Sequence, residues 1–478
     1  MKEFLSGCLI AALLLFAAAC SPSGLSESRS PNIVLIFSDD LGYADLGATG
    51  SGTIKTPHID KMAREGRRFT NAYVTASICS PSRAGMISGR YQQRFGYEDN
   101  TGPPTHQPAY VGLPANETTL AEALKKRGYT TGIVGKWHLG QTRSQHPQSR
   151  GFDEFFGMLH GGHIYFGPDS KGPLVRGWRC VDQDRGESDY LTDTFTEEGL
   201  AFIERHQDEK FFLYMSYNAV HTPYQAPASD LEKVNSLVTE EGQRKYVAMV
   251  QSLDDDVGRI RSKLEEFGIA DNTLLVFFND NGGLAKAKDP ASNTPFRGGK
   301  GNIYEGGIRV PLIMVLPGTI EGGEIYTPMV SSLDLFPTFL GLAGAVDFEG
   351  TKPLDGIDLI PHLSGKTLAE PHAQLYWRRQ KAWAIRDGDF KLLNAGNGGG
   401  DELYNLLEDP SESTNVIDKN PEITDEMKTA YDNWDATLMD PLWEWQSLSD
   451  TAHTTPMPGP HPASWLENFP DRVWEARR

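Results

Sequence analysis

The chain has 478 residues, enough for one large core and a smaller one. Its 39% hydrophobic and 23% charged residues are ordinary for a globular enzyme. A formal net charge of -19 disfavours nucleic acid as the main partner, and a polyanion would have to be gripped by a local basic pocket against the global field.

Residues 1–19 carry Lys2 and Glu3 and then an apolar run from Cys8 to Ala19. That run is too short to cross a bilayer but suits the core of a secretory signal. It ends Phe16-Ala17-Ala18-Ala19-Cys20 and is followed by a polar linker, residues 20–30. The pattern resembles a bacterial lipoprotein signal, which implies lipidation of Cys20, a membrane anchor and export to the periplasm or cell surface. Plain signal-peptidase cleavage after Ala19 is the alternative. The body keeps only Cys79 and Cys180. A core of this size needs no disulfide, so Cys180 reads as a small buried residue.

Asn32 to Phe37 is a short apolar run ending in Ser38-Asp39-Asp40, the pattern of a buried parallel strand. Thr119 and Glu122 form a capping box opening a helix to Lys126, closed by Gly128. Strands are expected at Tyr129 to Trp137, Lys210 to Tyr217, Thr273 to Phe278 and Arg309 to Leu316, with a long amphipathic helix at Glu240 to Phe267 and another helix beginning near Pro337. This alternation predicts an α/β fold, a mostly parallel central sheet flanked by helices over residues 31–365. Behind it, a smaller α+β unit with an antiparallel sheet is expected over 366–438, from hairpin strands at Gln374 to Arg386 and Gly388 to Asn394 and a helix at Glu422 to Leu438. The Trp-, Pro- and His-rich tail 439–478 has no usable periodicity.

Two strands end in oxygen-rich pairs, Asp39-Asp40 and Asp280-Asn281. Parallel strands present their C-terminal ends on one edge, so the four side chains can converge. An all-oxygen set with three carboxylates suits Ca²⁺ better than Mg²⁺, and neither pair offers the His or Cys that zinc prefers. Asp and Asn also simply make turns after strands. A third feature is the run Cys79-Ser80-Pro81-Ser82-Arg83-Ala84-Gly85-Met86-Ile87-Ser88-Gly89-Arg90. Pro81 suits a first helical turn, placing Cys79 at a helix N-terminus that favours anions, with Arg83 near the same face.

This run resembles the signature of the type I sulfatases, C-x-P-S-R followed by a small, apolar stretch and G-R. Further blocks are similar to that family in order: Asp39-Asp40, Gly135-Lys136-Trp137-His138, Val220-His221-Thr222-Pro223, Asn279-Asp280-Asn281-Gly282, Gly299-Lys300 through Glu305-Gly306-Gly307 to Arg309-Val310-Pro311, and Glu402-Leu403-Tyr404-Asn405-Leu406 to Asp409-Pro410. The resemblance spans 31 to about 435. It implies an alkaline-phosphatase-like fold and oxidation of Cys79 to formylglycine by a formylglycine-generating enzyme. The hydrated aldehyde attacks sulfur with one hydroxyl, and the other expels sulfate by re-forming the aldehyde. The resemblance also implies one Ca²⁺ held by Asp39, Asp40, residue 79, Asp280 and Asn281. By the same resemblance His138 takes the proton that drives release, His221 protonates the leaving alcohol with Lys300 nearby, and Arg83 and Lys136 hold the nucleophile and sulfate oxygens.

Some family members carry a sulfate-binding serine soon after the Gly151–Gly157 segment. This chain has Met158-Leu159-His160-Gly161-Gly162-His163 instead. His160, His163, Arg94, Arg176 and Arg179 are candidate substrate contacts, and Trp178, Trp443, Trp445 and Trp465 are candidate sugar-stacking faces, packing of the tail being the alternative for the tryptophans. The expected substrate is a sulfated glycan such as a carrageenan or other algal galactan, ulvan or a glycosaminoglycan. A phosphate or phosphonate ester hydrolase of the same superfamily and an inactive glycan-binding relative are the rival readings.

Overall fold

The structure is a computed structural model that describes residues 30–102, 110–169, 172–181, 186, 188–345 and 352–444. The expected leader 1–19, the lipidation site Cys20, and Trp445 and Trp465 lie outside the described residues. No described helix is long and apolar enough to cross a membrane.

The strands in chain order are β1 (Asn32–Ser38), β2 (Arg67–Phe69), β3 (Ala72–Tyr73), β4 (Thr130–Lys136), β5 (Glu154–Met158), β6 (Val175–Arg176), β7 (Arg179–Cys180), β8 (Phe211–Ser216), β9 (Thr273–Asn279), β10 (Leu312–Val315), β11 (Glu324–Tyr326), β12 (Val330–Ser331), β13 (Gln374–Arg379), β14 (Ala382–Asp387), β15 (Phe390–Asn394) and β16 (Glu402–Asn405). Among the described residues, ten form one sheet in the order β11-β2-β10-β9-β1-β8-β4-β5-β6-β7. β1 runs parallel to β8 and β9, and β4 parallel to β8 and β5. All three strands β1, β8 and β9 are buried throughout, which is why each reads as an unbroken apolar run.

Alternate residues of β1 feed two cores. Val34 and Ile36 pack with helices Leu191–His206 and Glu241–Glu266 on one face. Ile33, Leu35 and Phe37 pack with helices Cys79–Ser88, Leu120–Lys126 and Leu335–Leu342 on the other. The pairing Ser38↔Asn279, Phe37↔Ser216 and Gly135↔Ser216 levels the C-terminal ends of β1, β9, β8 and β4 on one edge.

One strand departs from the expected parallel series. β10 is antiparallel to both β9 and β2, because a run buried on both faces looks the same in either direction. The stretch expected as one strand from Gln374 to Arg386 is a hairpin that turns at Gln380 and Lys381. β13 to β16 form an antiparallel sheet, and helix Pro421–Asp435 covers it through Met427, Tyr431 and Trp434 on Ile385, Leu392 and Leu403.

Candidate active site

The C-terminal edge of the parallel strands brings together the residues that the sequence singled out there. Ligand atoms of Asp39, Asp40, Cys79 and Asp280 all lie within 4.8 Å of one another. Each carboxylate meets a cation: Lys136 Nζ lies 2.6 Å from Asp39 Oδ2, Lys300 Nζ 2.8 Å from Asp40 Oδ2, and Arg83 Nε 2.9 Å from Asp280 Oδ2. Lys300 Nζ also lies 3.1 Å from Cys79 Sγ. Burying three carboxylates is tolerable only with such pairing.

Cys79 opens the helix Cys79–Ser88, with Ile78 as N-cap. Asn100 Oδ1 accepts from Ser80 N at 3.0 Å, and Ser80 Oγ donates to His138 O at 2.5 Å, so the helix start is tied to the end of β4. Arg83 is anchored at its far side by Ser216 Oγ at 2.6 Å. Asp40 and His138 both hold left-handed backbone, with φ of 59° and 57°. Such conformations in non-glycine residues cluster where a site dictates the geometry.

Burial pushes the Cys79 thiol up to about 12 against the pull of Lys136 and Lys300. Burial opposes ionisation of Asp39, yet Lys136, His221, Arg83 and Lys300 outweigh it and hold that carboxyl far below the usual range. Burial and the charge of Asp39 push Asp280 upward despite Arg83. Burial, Lys136 and Arg83 hold His138 well below its ordinary value. Burial lowers His221 too, against the charge of Asp40.

The donor set suits a hard divalent cation. Its acceptors are carboxylate oxygens, and the buried Oδ1 of Asn281 has no hydrogen-bond partner among the described residues. His221 donates from Nδ1 to Thr222 O at 2.7 Å, leaving Nε2 facing the cluster, 3.6 Å from Asp40 Oδ2. His160 and His163 flank two glycines that roof the site. A Cβ on Gly161 would meet the His138 ring at 2.6 Å, and one on Gly162 would lie 3.4 Å from His221. His163 Nδ1 is 2.6 Å from Ile164 O.

Several expected substrate contacts are used elsewhere. Arg94 Nε and Nη2 grip Asp355 at 2.7 Å, and Nη1 reaches Thr437, so its charge is spent joining segments of the fold. Arg176 pairs with Glu198 over the Phe156 ring. The β6–β7 hairpin runs back toward the N-terminal end of β5, carrying Arg176, Trp178 and Arg179 away from the catalytic edge. Trp178 stacks on His146 with centroids 3.9 Å apart, and Arg143 covers it. Trp443 is buried against Tyr97 and donates from Nε1 to Asn100 O at 3.0 Å. Cys180 is half-buried rather than buried. Sequence reasoning missed Ser80, Asn100, Ser216, Gly161 and Gly162. The last two stood beside the histidines that it did single out.

A cluster of carboxylates, a residue at a helix N-terminus and converging cations form a site suited to a charged ester on an alkaline-phosphatase-like α/β fold. A family model described as Sulfatase matches residues 31–345, and one described as N-sulphoglucosamine sulphohydrolase, C-terminal, matches 299–436. N-acetylgalactosamine-6-sulfatase of Mus musculus is 37% identical over 402 residues, 79% of this chain and 75% of that protein. Arylsulfatase G of Rattus norvegicus is 33% identical over 484 residues, 88% of this chain and 89% of that protein. The crystal structure of Ps i-CgsB in complex with k-i-k-neocarrahexaose superposes with a TM-score of 0.81 at 33% identity, over 90% of this chain and 98% of that one. The phosphonate monoester hydrolase of Agrobacterium radiobacter, at 20% identity and a TM-score of 0.61, shares the fold alone. The chain belongs to the sulfatase family and is a sulfuric ester hydrolase. Membership implies a formylglycine and a metal, and the Asp/Cys cluster is consistent with both.

Proposed function

We propose that this sulfatase removes sulfate from a sulfated carbohydrate, using formylglycine at position 79 and one Ca²⁺. The observation that carries this reading is the convergence of Cys79 with Asp39, Asp40, Asp280, Arg83, Lys136 and Lys300 on one sheet edge. The carbohydrate substrate is supported by the similarity to Ps i-CgsB with its bound k-i-k-neocarrahexaose and to the N-acetylgalactosamine-6-sulfatases.

Asp39, Asp40, Asp280, Asn281 and the oxygen borne by residue 79 would hold the ion, which supplies positive charge for the sulfate oxygens when bound. As formylglycine, residue 79 supplies a hydrate hydroxyl as nucleophile and an exit by re-forming its carbonyl. Lys136 and Arg83 fix and partly neutralise the carboxylates around that nucleophile. His138, roofed by Gly161, is the base whose proton uptake drives sulfate release. His221, oriented by its bond to Thr222, delivers a proton to the leaving alcohol, and Lys300 stands between Asp40 and residue 79. Cys79 and Arg83 are both buried in the fold, which favours recognition of Cys79-Ser80-Pro81-Ser82-Arg83 by the formylglycine-generating enzyme before folding. The apolar run Cys8–Ala19 and Cys20 support an exported, lipid-anchored chain.

A panel of defined sulfated oligosaccharides tests the reading by sulfate release. Turnover of at least one sulfated sugar, with phosphate and phosphonate esters far slower, is expected. Preferential hydrolysis of phosphonate esters would contradict it.

A further inference from the structure

Lys300 stands on a loop whose two ends bond β16 and the segment that follows it, as well as the segment that follows β9. At the entry, Arg297 Nη1 donates to Glu412 O and to Tyr404 Oη, each at 3.0 Å. At the exit, Glu305 N donates to Glu412 Oε2 at 2.7 Å. Glu412 thus bonds both ends of the segment 297–305, which are also joined to each other by Gly306 N donating to Arg297 O at 2.8 Å. Within the loop, Lys300 N donates to Gly283 O at 3.0 Å and Gly301 N to Ser77 O at 2.7 Å, two residues before Cys79.

The clamp is buried and charged. Lys391 Nζ, on β15, lies 2.8 Å from Glu412 Oε1 and 3.0 Å from Glu305 Oε1, and all three side chains are fully buried. Glu305 Oε2 accepts from Tyr73 Oη at 2.6 Å and lies 3.2 Å from Arg309 Nη1. Arg386 on β14 donates to the same tyrosine oxygen. Glu412 itself holds left-handed backbone, φ 51°, a conformation that an L side chain adopts when its surroundings over-determine it. Buried carboxylates cost stability unless fully satisfied, and these are satisfied by Lys391 of the C-terminal sheet together with Tyr73 of β3, Arg309 and the backbone N–H of Glu305.

We infer that Glu412, held by Lys391, is a positioning residue that sets the reach of Lys300 toward residue 79 and Asp40. The inference rests on the proposed role of Lys300 in catalysis. Among the described residues Glu412 makes no hydrogen bond or ion pair to Cys79 or to the carboxylate cluster. The loop reaches the site through Lys300 and through Gly301 N on Ser77 O, and Lys300 is the route we assign to Glu412. Displacing a positioned group by about 1 Å can cost on the order of a hundred-fold in rate, so loosening the loop should lower kcat while leaving KM nearly unchanged.

A double-mutant cycle tests this in the full-length, formylglycine-containing enzyme with added Ca²⁺, with an aryl sulfate as substrate. The variants are Glu412→Gln, Lys300→Ala and the pair, with Arg297→Met as a second way to release the loop should Glu412→Gln not fold. Assays are run well below each variant's melting temperature. Glu412→Gln or Arg297→Met should lower kcat roughly ten-fold in the parent and less than about two-fold when Lys300 is already alanine, because contacting groups in one network are not additive. Equal losses in both backgrounds would overturn the inference and leave the role of Lys300 intact. No loss from Lys300→Ala alone would refute the role assigned to Lys300, and the clamp with it.

Discussion

Replacing His221 with alanine should separate its proton-transfer role from any part in stability. The ring is held by one bond from Nδ1 to Thr222 O at 2.7 Å, and Nε2 faces the cluster 3.6 Å from Asp40 Oδ2. Losing that anchoring bond costs about 1 kcal/mol of stability, so the melting transition should barely move. Losing general acid catalysis costs about 10²–10⁴-fold, which is roughly 3–5 kcal/mol of barrier. That loss applies in full only where the departing oxygen needs the proton. A sugar alkoxide is a poor leaving group, whereas an activated aryl oxide departs nearly unaided. Measured as kcat/KM for the variant and parent, the deficit on a sulfated oligosaccharide should therefore exceed that on an aryl sulfate by about ten-fold or more. Equal deficits on both substrates would refute the assignment of His221 as the general acid.

Other outcomes follow from the same geometry. Exhaustive chelation should abolish turnover and lower the melting temperature, with Ca²⁺ restoring both. A ligand at a hundred times its Kd stabilises by about 2.7 kcal/mol, and full activity without metal or stoichiometric zinc in the purified protein would contradict the calcium assignment. Gly161→Ala should cut kcat about ten-fold or more, because its Cβ would stand 2.6 Å from the His138 ring; unchanged kcat would show that the roof is not close in solution. Burial would lower the pKa of His372, but the buried Asp334 carboxylate, 2.8 Å away, outweighs this and raises it. The folded pKa thus exceeds the unfolded value of about 6.5, so the stabilisation is complete below that pH and lost as pH rises through the folded pKa. Thermal melts of His372→Asn against the parent should differ by about 1.5–3 kcal/mol in mild acid and converge in alkali, and a gap that widens with pH would contradict the sign.

Much of the fold was legible because its central strands are buried on both faces and end in marked polar pairs. Asp39-Asp40 and Asp280-Asn281 could be placed on one edge from strand direction alone. What the pattern could not reveal was direction where burial is symmetric, as in β10, or where a hairpin turns on ordinary residues such as Gln380 and Lys381. Residues within compact blocks, Cys79 with Arg83 and Lys136 with His138, were readable as neighbours because local spacing constrains them. Arg94, Arg176, Trp178 and Trp443 were not, since a cation or aromatic ring takes whichever partner the tertiary fold supplies. Asp355, Glu198, His146 and Tyr97 are all distant in sequence or unmarked. Glu412 and Lys391 were not legible for the same reason, as their burial depends on the C-terminal sheet meeting Glu305 at the end of the segment 297–305.

The central claim is that residue 79 acts as formylglycine. Its most direct test is mass spectrometry of the peptide holding residue 79, run beside sulfate release, on protein made in hosts with and without a formylglycine-generating enzyme. Turnover should scale with the fraction whose mass is lowered by the exchange of a thiol for an aldehyde, and Cys79→Ala should be folded and inactive. If protein carrying only unmodified Cys79 turns over as fast as the modified form, the account of this active site is wrong.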